Sequence, residues 1–193
     1  MAPPRTIADI TAILDQEKPD PKVAAKMRAE ADAKSPADAS KGDLAKFLYA
    51  RCIARTALGD FRGGLADCEK AVEHGESSLD ALAYGRIRQG LAIQYATAGD
   101  PKKALQVQLK SVQIFDGKGT RGFQFNAQRH IVERYIQLGD FNQAQVYVQR
   151  NQSLISEARG WPTYAGFRRF SWEADAELAR ARLFDARGDD GSA

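Results

Sequence analysis

Two histidines, two cysteines and one glycine-rich segment are the residues of this 193-residue sequence whose types could do chemistry. His74 and His130 have no partner at metal-ligand spacing, so both read as structural or solvated side chains. Cys52 and Cys68 do not form a CxxC pair. Gly117-Lys118-Gly119-Thr120-Arg121-Gly122 offers glycines, cations and a hydroxyl, as a phosphate cradle would. It lacks the Gly-x4-Gly-Lys-Ser/Thr spacing and a preceding strand, so it reads as a loop between helices. No Ser/His/Asp set stands out, and no pair of carboxylates with a supporting third group. The expectation is a protein with no catalytic residues, no metal and no cofactor.

The elements that position these residues are punctuated by one recurring dipeptide. Leu58-Gly59-Asp60-Phe61 returns as Ala98-Gly99-Asp100-Pro101 and as Leu138-Gly139-Asp140-Phe141, in steps of 40 residues (139 − 99 = 99 − 59 = 40). Each copy lies between two long helical patterns and reads as the turn of a helix hairpin, Gly ending one helix in αL and Asp capping the next. A fixed period of this size means stacked supersecondary units, which bury their apolar residues as a strip between neighbours. With 44% apolar residues the chain can fill such a strip. A net charge of +3, with both signs mixed along every helix, is weaker than the concentrated basic face of a nucleic-acid binder. No run of eighteen apolar residues and no signal-peptide pattern is present, so a soluble, cytoplasmic chain is expected. Export stays open, because Met1 before Ala2-Pro3-Pro4 is also what an expression start on a processed end would look like.

Residues 1–40 read as an N-terminal helical extension. Thr6 and Asp9 have capping-box spacing ahead of Ile7, Ile10, Ile13 and Leu14, and Asp20-Pro21 opens a second helix through Val23, Ala24, Met27 and Ala31. Ser40 and Asp43 repeat the capping box and open the array proper, residues 41–193, with repeats at about 41–77, 78–118 and 119–159. After Pro162 a terminal helix is expected over about 163–188, closing on Gly188-Asp189 as a first helix of a hairpin would. It is either a capping helix or the start of a further unit. Trp161, Phe167, Phe170 and Trp172 are expected to pack it onto the third repeat.

The first unit carries Leu48-x-x-Arg51-Cys52-x-x-Arg55-x-x-x-Gly59-Asp60-Phe61-x-x-Gly64-x-x-x-Cys68-x-x-Ala71. The second carries Leu91-Ala92-x-x-Tyr95-x-x-x-Gly99 and Ala104, the third Ile131-Val132-x-x-Tyr135-x-x-x-Gly139-Asp140-Phe141-x-x-Ala144-x-x-x-Val148. This pattern resembles the tetratricopeptide repeat, with two departures. Arg55 stands where the family usually has Tyr, and the period is 40 rather than about 34, which looks nearer to the long repeats of the kinesin light chain type. The resemblance implies an all-α fold, a right-handed α-solenoid of helix hairpins, here with extra N-terminal helices and a C-terminal capping helix. Cys52 and Cys68 then fall on interior positions of facing helices in one hairpin. They are either two buried thiols or a disulfide between the helices, and the latter would argue for an oxidising compartment.

In that family the first helices of the hairpins line a concave groove. The groove positions carry over to Lys46, Tyr49 and Ile53, then Arg86, Gln89 and Ile93, then Asn126, Arg129 and Glu133. Cationic and amide groups suit a carboxylate or peptide backbone, and the apolar residues suit its side chains. The expected function is a non-catalytic scaffold binding a peptide or protein partner, with an acidic or C-terminal segment first, as the docking or regulatory module of a larger bacterial protein. The family's chaperone-binding clamp is not expected, because Tyr49 and Ile53 replace its Lys and Asn. The alternatives are a groove covered by the N-terminal helices or a neighbouring domain, a self-associating homo-oligomer, and a nucleic-acid-binding helical repeat.

Overall fold

The computed structural model describes residues 6–7, 20–115, 117, 120–162, 164 and 167–188, except for the side chains of 167 and 168. The described residues are all-α. The eight helices are α1 (Pro21–Asp32), α2 (Lys41–Ala57), α3 (Phe61–Gly75), α4 (Ala81–Thr97), α5 (Pro101–Ile114), α6 (Arg121–Gln137), α7 (Phe141–Ala158) and α8 (Phe167–Arg187). None is long and apolar enough to cross a membrane. The expected helix over Ile10, Ile13 and Leu14 lies outside the described residues, as do Lys118, Gly119, Thr163 and Asp189.

Local chemistry sets the helix ends. Asp20, Asp60, Asp100 and Asp140 each accept a hydrogen bond from a backbone N–H in the following turn, at 2.8–3.0 Å. Ser40 accepts from Asp43 N at 3.1 Å, and its hydroxyl donates back to the Asp43 carboxylate at 2.7 Å. The three Gly-Asp turns have one geometry. Gly59, Gly99 and Gly139 have φ of 91°, 79° and 76°, which only glycine adopts without strain. In each, the Asp N–H reaches back to Arg55 O, Tyr95 O or Tyr135 O at 2.9 Å, the six-to-one bond of a Schellman motif. Gly188, φ 73°, ends α8 in the same conformation.

From α2 to α8 every helix packs on its neighbour in sequence, and α1 packs on α2. α8 also lies on α6, as α6 does more lightly on α4. The core runs along this row as linked clusters. Ala45, Leu48, Ala71 and Ile87 join α2, α3 and α4; Leu91, Tyr95 and Ala104 surround the two cysteines; Leu105, Ile131, Val148, Ala179 and Leu183 continue it to α8. Cys52 and Cys68, both fully buried, are joined as a disulfide linking α2 to α3.

The C-terminal aromatic residues divide. Trp172 stacks on Phe125 of α6 with ring centres 4.4 Å apart and touches Tyr164, and Trp161 packs beside them. Phe170, expected in this cluster, is instead 71% exposed, because α8 turns that residue away from α6 and α7. The departure at Arg55 also has a cause. Arg55 and Arg51 reach Ala31 O and Ala33 O at the end of α1, while both guanidinium groups bond the buried carboxylate of Asp67 on α3. A Tyr at position 55 could not make the two-sided link that holds α1 to the α2–α3 pair.

Candidate functional site

A cleft lies between α4 and α6, floored by α5. Its inner end is a small cavity of ≈ 20 Å³ whose polar lining comes from Arg88, Gln89, Gln108, Ser111 and His130. Its outer part is a recess of ≈ 320 Å³ edged by Ile93, Thr97, Glu133 and Arg134. Ala92, Gln108 and His130 line both, so the two adjoin.

The inner cavity exists because polar and small residues occupy positions that are apolar one repeat earlier. Leu48 and Ala71, packed together in the first hairpin, correspond at a 40-residue step to Arg88 and Ser111, and again to Gln128 and Asn151. Arg88 is 3% exposed, yet it has no carboxylate partner among the described residues. Its guanidinium donates to Ser111 Oγ at 3.0 Å, Val107 O at 2.8 Å and, weakly, Tyr84 Oη at 3.4 Å, and it lies over the Tyr84 ring. Gln108 Oε1, also buried, has no hydrogen-bond partner.

At the outer end, Glu133 collects cations. It accepts from His130 Nδ1 at 3.1 Å, Arg134 Nη2 at 3.1 Å and Arg182 Nη1 of α8 at 2.5 Å. Burial pushes its carboxyl up, but the hydrogen bond and charge of His130, the hydrogen bond from Arg134 and the charge of Arg129 outweigh this and hold it down at about 2. Arg129 Nη2 lies 3.1 Å from His130 Nε2, and the other ring nitrogen, Nδ1, faces Glu133.

Among the residues expected in a groove, Gln89, Ile93 and Glu133 come together around this cleft. Ile93 is 44% exposed at its edge. Arg129 turns toward α8, pairing with Asp175 at 3.6 Å, so α8 ties down both charged groove positions of the third repeat. Asn126 is half-buried on α6. Tyr49 packs against α4 where Gly90 leaves room: a Cβ on Gly90 would lie 2.4 Å from its ring. Burial pushes the Tyr49 phenol up, against the opposing charge of Arg86. Arg86 and Ile53 are exposed, and exposed Lys46 pairs with Asp43 of its own helix at 3.6 Å. The groove positions thus do not form one set; they fall into a cleft group, a group tied to α8, and a group on and beside α2.

The other candidates stay apart. His74 is on α3 and its carbonyl accepts from Ser78. Thr120 spends its hydroxyl on Gly117 O at 3.0 Å instead of capping α6. No trio of His, Cys, Asp or Glu able to hold a metal occurs among the described residues. Arg88, Gln108 and Ser111 were missed from the sequence, although aligning the repeats at 40 residues sets Arg88 against Leu48 and would have flagged it. Compared with known proteins, the chain matches no family model and no curated protein.

Proposed function

We propose that this chain is a non-catalytic scaffold that takes a peptide or protein segment in the cleft between α4 and α6. The observation that carries this is a half-exposed apolar edge at Ile93 adjoining a small cavity lined in part by buried Arg88. An apolar contact beside fixed polar groups is what recognition of an extended segment requires. The fold reading that goes with it is a right-handed α-solenoid of tetratricopeptide-like hairpins, with α1 covering one end and α8 standing as cap or first helix of a further unit. It is supported by the same Gly-Asp turn at 40-residue steps, the packing of each helix on its sequence neighbours, and the αL Gly188.

The test is selection from a displayed library of dodecapeptides. The expected result is a shared motif whose binding is lost in Ile93→Asp and kept in Phe170→Ser. Binding indifferent to Ile93→Asp would place the interaction elsewhere.

Self-association is the second reading, favoured by Phe170 and Leu178, 71% and 47% exposed on α8. Light scattering coupled to gel filtration would then give a concentration-dependent dimer that Phe170→Ser abolishes; a monomer at all concentrations rejects it.

A further inference from the structure

We infer that the inner cavity is an anionic anchor site, receiving the carboxylate of an Asp or Glu side chain of the bound segment, with Arg88 as its counter-charge. This rests on the peptide-cleft reading and names the chemistry it selects. Four observations converge. Arg88 is almost fully buried and bonded only to neutral oxygens, and a buried cation without an anion is costly enough that proteins normally pair it. A guanidinium carries five N–H donors, and Ser111, Val107 and Tyr84 account for three. The cavity beside it is walled mostly by apolar surface, exceeds the space one water needs, and adjoins the outer recess across Ala92, Gln108 and His130. Gln108, 5% exposed with an unpartnered amide oxygen, stands where cavity and recess meet; turned over, its amide nitrogen would donate to the same anion.

Packing alone does not ask for the charge. The same repeat position is filled by Leu48 in the first hairpin and neutral Gln128 in the third. Nor does the mouth repel an acid: Glu133 is held by both Arg134 and Arg182. A carboxylate entering past Ile93 would exchange water for charge-assisted bonds in a site already shaped by Ser111 and Tyr84. A side-chain carboxylate fits the lateral opening, with the peptide backbone remaining in the outer recess.

Peptides enriched on the wild-type protein decide it. Each should contain one Asp or Glu whose change to Asn or Gln weakens binding roughly 10- to 100-fold, the effect of losing a hydrogen bond to a charged group. Arg88→Gln should cost a similar factor, and the two changes together little more than either alone. The peptide change needs no altered protein, so the result stands even if Arg88→Gln folds poorly. Peptides that require Ile93 but tolerate loss of every acid would overturn the anchor and leave the cleft standing. A library from which nothing is enriched removes both.

Discussion

Asp67 is a buried charge held on two sides. Its carboxylate, 3% exposed, takes both parallel bonds of Arg51 at 2.7 Å and a third from Arg55 at 2.9 Å, while the same two arginines hold the last carbonyls of α1. Removing one partner of a buried pair leaves the other charge uncompensated, at about 3–5 kcal/mol. Asp67→Asn should therefore lower stability by that order in a denaturant melt, and hydrogen exchange should show α1 released first. Glu133 gives the pH counterpart. Its carboxyl is held at about 2 against 4.5 when free, so the folded state favours the charged form. A lowered native value stabilises above the unfolded value and is lost as pH falls toward the native one. The contribution, about 3 kcal/mol, should be intact above pH 5 and disappear between about 4.5 and 2. Melts across that window should show the loss in the wild type and a flatter profile in Glu133→Gln.

The turns act at the scale of the element. No atom lies within 4 Å of where a Cβ would sit on Gly99, so Gly99→Ala tests backbone conformation alone. It should cost about 1 kcal/mol, the price of αL for an L residue, and Gly99→Asn less. The α2–α3 disulfide closes a span of 16 residues. Reducing it should cost about 3 kcal/mol, read as a lower denaturant midpoint of reduced against oxidised protein. Helix ends of this kind are legible in sequence because their causes are local: Asp after Gly, Ser three before Asp, Pro at the first helical position. Asp80, which caps α4 through Leu82 and Ala83 N–H groups, obeys the same rule and escaped only because no glycine precedes it. What the sequence hid is tertiary. Nothing near Arg129 or Glu133 announces that α8, more than forty residues on, will face them, and nothing near Phe170 tells that α8 presents it outward. Arg88 reads as a surface cation until its neighbours one repeat away reveal an interior position.

Along the described residues each helix packs on its neighbours in sequence, and the apolar clusters follow one another along that row. In the solenoid proposed above, units would share stability by nearest-neighbour terms, so damage at one end should propagate only partway. The cleft sits in the middle of the row, on α4, α5 and α6, where both sides are supported. The cystine sits near one end and has a mechanical meaning. Pulled by its two termini, such a row should peel helix by helix, yet the chain between Cys52 and Cys68 is bypassed by the covalent bridge and bears no tension. A reduced molecule would then stretch further than an oxidised one by roughly 50 Å, the extended reach of those 16 residues, a step visible in a single-molecule force trace.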